Sequence, residues 1–592
     1  MTSVAPGRFG GARSRRARRL AACTTLVLCF GTLASAPASA GDRPPAPNRP
    51  ATTHRTPDAR HPTLAFPPRA AERRGIAGEG ASATAAATPR FDLDGDGRSE
   101  LLYRGLDGAL RLLPSDGSPV RPLGIRGAGD EMFKDLVPLG DQDGNGTTEI
   151  VTLSSDGILA LRDNSGPNEL TSPYWSGKGW QVYNKLAAPG DLTGDGRTDL
   201  LARTPSGELY LYRSDGRPTA PFAARVKIGG GWQGYDQIVG VNDANGDGHG
   251  DLYARTPAGD LYFYAGTGDA AAPFRPRVKV GYGYRIYNQL LSTDDIDGDG
   301  HGDLIARTPA GELFSYGSDG TGQLRGRSRL GSGWEVASLF AGAGGNPHLD
   351  KSDLIGLDTH GTLYYYYVQN NGQLSTRQKI SADGGFAGAR LFFASSLDKN
   401  DRGDVFQIHQ GGLYNHEHRT DSGGPAFLGP GWDSYPTVFG PGDLTGDGKG
   451  DLLARDGAGT LYLYPGDGAG YAVGGRIKVG AGWNAYNSLV GAGDLTGDGL
   501  TDIVARTPGG TLYLYAGTGT ATAPFKPPVK LGGGWNAYQR LAAPGDIDGD
   551  GRADLLATDA RGDLYRYLSD GTGGFTPRVK IGNGWNTYTG LL

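Results

Sequence analysis

From residue 91 to its end the chain repeats one unit of about fifty residues, and no other feature limits its possible folds as strongly. The acidic residue that closes each unit's loop marks the period: Glu100, Glu149, Asp199, Asp251, Asp303, Asp353, Asp404, Asp451, Asp502 and Asp554, with steps of 47 to 52 residues. Each unit offers four short apolar segments separated by Gly, Asp and Pro turn signals. Around Asp502 they are expected at Tyr486 to Val490, Asp502 to Arg506, Thr511 to Tyr515 and Pro528 to Leu531. In Leu512-Tyr513-Leu514-Tyr515 aromatic and aliphatic residues alternate, so both faces are apolar and both must be covered. Four-stranded units of this length cover one another when arranged radially. The fold class expected is therefore all-β: a β-propeller of ten four-stranded repeats.

The ends of the repeat array bear on how it closes. The first unit starts at its acidic loop, Phe91-Asp92, without the G-W-x-x-Y strand that precedes later loops, whereas the chain ends on that strand, Gly584-Trp585-Asn586-Thr587-Tyr588. A late strand completing an early blade would remove an exposed edge. Two rings of five, residues 90–341 and 342–592, divide the repeats evenly; one larger ring is the alternative.

Eight loops follow D-x-[DNT]-G-[DN]-G-x-x-[DE]. They place oxygen-bearing side chains at Asp92, Asp94, Asp96 and Glu100; Asp141, Asp143, Asn145 and Glu149; Asp191, Thr193, Asp195 and Asp199; and Asp243, Asn245, Asp247 and Asp251. The other four hold Asp295, Asp297, Asp299 and Asp303; Asp443, Thr445, Asp447 and Asp451; Asp494, Thr496, Asp498 and Asp502; and Asp546, Asp548, Asp550 and Asp554. Oxygens at positions 1, 3, 5 and 9, with the carbonyl of position 7, suit a hard cation of six to eight ligands, and the glycines permit the tight wrap. Calcium is the cofactor expected. Cysteine is absent from the loops and no histidine stands at positions 1, 3, 5 or 9, so the ligands that softer metals prefer are missing.

The loops start like EF-hand loops but close at position 9 and run directly into a strand. In this they resemble the FG-GAP/VCBS repeat family of calcium-bearing extracellular propellers, over residues 91 to 592. The resemblance implies a secreted binding protein whose loops carry calcium. Thr193, Thr445, Thr496 and Asn145 depart from a full carboxylate set, which implies weaker sites there.

Composition supports export. Arginines at 13, 15, 16, 18 and 19, an apolar stretch over 20–33 and Ala38-Ser39-Ala40 read as a signal peptide of residues 1–40. Both cysteines, Cys23 and Cys29, lie within it, so disulfides cannot staple the exported chain. Removing it takes away six of the 58 basic residues and no acid, which moves the formal net charge from −5 to −11. The loops hold 27 of the 63 acids, so the surplus reads as metal ligand. Residues 41–89, rich in Pro, Ala, Thr and Arg, read as a disordered linker. No later stretch approaches a membrane span, and the negative charge argues against nucleic acid.

Trp180, Trp232, Trp483, Trp535 and Trp585, each three residues before a tyrosine and preceded by glycines, are candidate ligand contacts or core residues. A Gly-x-Gly-Trp lead-in beside a Leu-Tyr strand loosely resembles tachylectin-type lectin propellers, which implies an extracellular glycan as partner. A cell-surface or secreted protein is the other partner class. No phosphate loop, nucleophile elbow or zinc-protease motif occurs, so no enzyme is expected, a propeller hydrolase or lyase being the outside alternative. Units six and seven have lost the loop pattern yet hold His348, His360, His409, His416 and His418. These are expected to line a junction between rings, or to form a zinc-type site around His409, His416 and His418.

Overall fold

The computed structural model describes residues 62–64 and 88–592, apart from residues 130, 165, 167, 345–351, 399, 401–402 and 417–424. The signal segment and most of the expected linker thus lie outside the described residues. What is described is a β-propeller built from ten antiparallel sheets, nine of four strands and one of five, with a small two-stranded sheet beside them.

The unit around Asp502 shows how sequence becomes blade. Its strands are Ser488–Gly493, Asp502–Arg506, Leu512–Tyr515 and Val529–Gly532, paired in that order. The first begins two residues later than its alternation predicts because Trp483–Ala485 forms a 3-10 turn, led in by Gly482 at φ 90°, a conformation that favours glycine. That turn docks on the preceding unit, since the Trp483 amide donates to the Gly459 carbonyl at 3.0 Å. The tryptophan side chain then packs with Leu453, Leu461, Leu463 and Ile503, between two successive sheets.

The tryptophans therefore serve the core. Trp180, Trp232, Trp483, Trp535 and Trp585 are only 6–8 % exposed. Trp483 lies 4.8 Å, ring to ring, from Tyr515 in the third strand of its own sheet. The Tyr486 hydroxyl meets that of Tyr515 at 2.6 Å, and the Tyr183–Tyr212 and Tyr435–Tyr464 pairs repeat the contact.

The recurrent arginine at the end of the second strand ties one sheet to the next. Arg506 Nη1 donates to the Trp535 and Tyr538 carbonyls at 3.1 and 2.7 Å; Arg203, Arg255, Arg307 and Arg455 do the same one unit apart. From the sequence this arginine could have paired with a loop acid. It instead fixes the backbone of the next unit's tryptophan turn.

Two strand pairings join segments far apart in the chain. Ala337–Phe340 pairs with Leu101–Gly105 and supplies the strand that the first unit lacks. The C-terminal Tyr588–Leu591 pairs with Asp353–Asp358, completing the sixth unit and not the first. Within the stretch expected to be a disordered linker, Thr63–Leu64 forms a strand on the edge of the fifth sheet, opposite Gly331 and Ser332. The Trp334 indole nitrogen donates to the Thr63 carbonyl at 2.9 Å. An open edge and a buried indole N–H are satisfied together, which explains why two residues of an otherwise unpatterned segment are placed.

The two halves meet through loops of the eighth, ninth and tenth units. Asn184 Nδ2 donates to the Asp498 carbonyl at 2.7 Å, Asn288 Nδ2 to that of Asp548 at 2.6 Å, and Arg307 Nη2 to that of Gly549 at 3.0 Å. Unit six adds Asn370, whose Nδ2 reaches the Glu335 and Ala337 carbonyls. Among the described residues none of the candidate histidines makes these contacts: His360 is exposed, and buried His416 instead meets Gln407 and the edge of Phe386.

Truncating Trp483 to alanine should cost about 3–5 kcal/mol in equilibrium unfolding, as for a large aromatic in a packed core. Arg506→Met should cost about 1.5–3 kcal/mol through the lost charge-assisted bonds.

Candidate cation sites in the acidic loops

Each acidic loop leads into the second strand of a sheet, joining it to the first strand in every unit but the first, and is wound around its first aspartate. In the loop from Asp295 to Asp303, Asp295 Oδ1 accepts from the Gly298 and Asp299 amides and Oδ2 from that of Gly300, at 2.6–3.1 Å. Asp191, Asp243 and Asp546 take the same amides of their own loops. The glycines at positions 4 and 6 have positive φ, for example 74° at Gly298 and 93° at Gly300, which lets the chain wrap so closely.

Four loops bring three or more carboxylates together with ligand atoms all within 4.8 Å of one another: Asp92, Asp94, Asp96 and Glu100; Asp141, Asp143 and Glu149; Asp295, Asp297 and Asp299; Asp546, Asp548 and Asp550. In the loops that start at Asp191, Asp243, Asp443 and Asp494, a threonine or asparagine replaces the carboxylate at position 3, and no group of three acids is drawn together. No described histidine belongs to any such group, and His348 and His418 lie outside the described residues.

Position 9 behaves in two ways, a division that residue type alone did not reveal. Glu100 Oε2 accepts the Leu93 amide at 2.7 Å, while Oε1 is buried without a hydrogen-bond partner inside the cluster. Glu149 is placed alike, with Oε2 on the Gln142 amide. Aspartate is one methylene shorter and is engaged by backbone on both oxygens. Asp554 Oδ2 accepts from Ile547 at 2.9 Å and Oδ1 from Ser569 at 2.8 Å. Asp199, Asp251, Asp303, Asp451 and Asp502 each accept an amide from loop position 2 and another fifteen residues downstream. These aspartates brace the loop against the hairpin after the third strand.

The charges are costly as they stand. Burial, reinforced by the neighbouring Asp94 and Asp92, pushes the Glu100 carboxyl up to about 8; Glu149 also rises to about 8 and Asp251 to about 8. Asp548, buried beside Asp546, is raised to about 7, and its Oδ1 has no hydrogen-bond partner. Carboxylates held close together, partly buried and with oxygens left over, fit a hard divalent cation, which would reverse the sign of the local field.

An FG-GAP-like repeat profile matches residues 191–254, 443–505 and 494–557. The chain carries FG-GAP-like repeats. Each matched stretch starts at the first aspartate of one acidic loop and ends in the strand that follows the next. No curated protein sequence matches the chain. Among solved structures, a lectin of Agrocybe aegerita, described as recognising non-reducing terminal N-acetylglucosamine, is 16% identical, covers 82% of this chain and 91% of its own, and has a TM-score of 0.20. The BP39L lectin of Burkholderia pseudomallei is 15% identical over 68% of this chain and 99% of its own, with a TM-score of 0.24. Among the described residues no helix is long and apolar enough to cross a membrane.

The FG-GAP-like loops separate bracing from charge, which two variants should resolve. Asp554→Asn places an amide against a backbone donor and should cost about 1–3 kcal/mol even in chelator. Asp548→Asn relieves the burial of a charge and its repulsion by Asp546, which outweigh the attractions to Arg552 and Arg566, so it should raise the melting temperature in chelator and diminish any gain from added calcium.

Proposed function

We propose that this chain is an exported, non-enzymatic, calcium-stabilised binding propeller that recognises extracellular glycan in grooves between adjacent blades. We also propose that its ten blades form two five-bladed rings, residues 90–341 and 342–592, a division supported by the two closing strand pairs.

One observation carries the glycan reading. Between the fourth and fifth units lies a cavity of about 400 Å³, large enough for a small ligand. Phe263 and half-exposed Val278 form its apolar wall, and Arg275, Thr321, Gln323 and Asn245 supply hydrogen-bonding groups. A sugar ring offers apolar C–H faces and hydroxyl edges, and this lining complements both. The tryptophans first considered as sugar platforms are buried, so the ligand contacts are assigned instead to the rim beside the acidic loop. Arg275 links the two, with Nη2 3.3 Å from an Asp247 carboxylate oxygen.

Calcium would hold Asp92, Asp94, Asp96 and Glu100, and the corresponding groups of the other loops, in their compact arrangement. With dissociation constants of about 0.1–1 mM and calcium near 1 mM, each site would add roughly 0.4–1.4 kcal/mol. Summed over several loops, that replaces the cross-linking that disulfides cannot supply. Thermal unfolding in millimolar calcium should therefore occur at a clearly higher temperature than in excess chelator, and an identical melting temperature in both would overturn the calcium assignment.

Glycan recognition is tested by array binding with and without chelator. Arg275→Ala combined with Gln323→Ala should weaken binding at least severalfold at unchanged melting temperature. Binding that survives this change intact, or that is lost only with Trp232→Ala, places the ligand elsewhere.

A further inference from the structure

Within the chain, two different faces of the same repeat already dock on each other. The loop face of the second ring, at Gly448, Asp498, Asp548 and Gly549, meets the opposite face of the first ring, at Ser155, Asn184, Asn288 and Arg307. The fit is close at glycines. A Cβ on Gly499 would stand 2.5 Å from Asn184 Cβ, and one on Gly448 would stand 2.2 Å from the Ser155 carbonyl oxygen. A charged pair adds to it, Arg552 lying 3.8 Å from Asp236.

Because both rings are made of one repeat, each surface of this contact has an open counterpart. In the first ring Asn184 and Asn288 are buried by the junction, at 3 % exposure each, whereas Asn487, which holds the same place beside Arg506, is exposed. The local geometry is otherwise shared: Asn288 Oδ1 accepts from Arg307 Nε at 3.0 Å and Asn487 Oδ1 from Arg506 Nε at 3.1 Å. Conversely, the loop tips of the second ring are covered, while Asp94, Asn145, Asp195 and Asp247 at the tips of the first ring's loops are exposed.

We infer that a second copy of this chain docks by the same contact, the open loop face of its first ring against the open arginine–asparagine face of the second ring. This rests on the two-ring reading. Joining unlike faces leaves one of each free at the ends, so the contact does not close and copies add head to tail in an open series. Charge favours the pairing, since the open loops are acidic while exposed Arg390 and half-buried Arg455 and Arg540 lie along the facing edge. A linear array would also repeat the inter-blade grooves, raising avidity for a polymeric ligand.

Sedimentation of the purified chain in millimolar calcium is expected to show a coefficient that climbs with concentration beyond that of a dimer, without a plateau. Thr147→Trp with Arg197→Trp blocks one face and Asn487→Trp blocks the other; Thr147→Lys and Asn487→Glu serve if the bulky forms unfold. Each variant alone should stay monomeric, and an equimolar mixture should stop at a one-to-one dimer. A chain that remains monomeric throughout, a dimer that goes no further, or single-face variants that still assemble would overturn the inference. Asn288→Trp, at the internal junction, is the separate control: it should lower the melting temperature, and no change would instead remove the two-ring docking on which the inference rests.

Discussion

A four-stranded antiparallel blade with two apolar faces is stable only against its neighbours, and the guanidinium that crosses from one blade to the next fixes how those neighbours meet. Arg203, Arg255, Arg307, Arg455 and Arg506 each donate to two carbonyls of the next tryptophan turn. A buried carbonyl left without a donor costs about 1–3 kcal/mol, so where the arginine is present it holds the turn in place. With the turn held, the indole is aimed between sheets and the tyrosine three residues on reaches the hydroxyl of its own third strand. The repeat is thus a unit of contact between blades as much as a unit of sequence.

Four units have no arginine at this position: Leu153 in the second, Leu357 in the sixth, Ile408 in the seventh and Thr558 in the tenth. In the second and sixth the facing residues are Asp135 and Gly590, so no guanidinium replaces it there. In the seventh and tenth the residue opposite on the neighbouring strand is an arginine: Arg390 faces Ile408 and Arg540 faces Thr558. Arg390 reaches the Tyr435 carbonyl, and Arg540 Nε donates to that of Thr589 at 3.2 Å. In these two units the guanidinium has moved to the cross-strand partner, which the register of the pairing shows and the strand-end residue alone does not.

The repeat, the strand order and the loop winding were legible in the sequence because they are local. Alternation placed Asp502–Arg506 with the bounds observed, and the nine-residue loop spacing anticipated that Asp295, Asp297 and Asp299 converge while also counting Asp303, which backbone amides engage instead. What depends on distant chain was not legible. Nothing in Thr63-Leu64 announces a strand, since the edge and the indole N–H that it satisfies lie almost 270 residues away. Nor does Lys185 announce that it is buried at 2 % exposure near Asp236 and Asp494, with burial lowering its pKa well below the usual lysine value. At position 9, Asp and Glu look interchangeable as ligands, but one methylene decides whether the second oxygen reaches the cluster or is taken by a backbone amide.

The loops of the ninth and tenth units hold two duties in one backbone. Their side chains turn inward, where like charges oppose one another, and their carbonyls turn outward at Asp498, Asp548 and Gly549 to accept from Asn184, Asn288 and Arg307. A loop can present carbonyls in a fixed array only if its interior is settled, and the interior is settled when the repulsion among Asp546, Asp548 and Asp550 is offset. Whatever neutralises the acidic cluster therefore also organises the surface that meets Asn288 and Arg307, coupling ligation inside a loop to contact between distant units without any moving part beyond the loop itself.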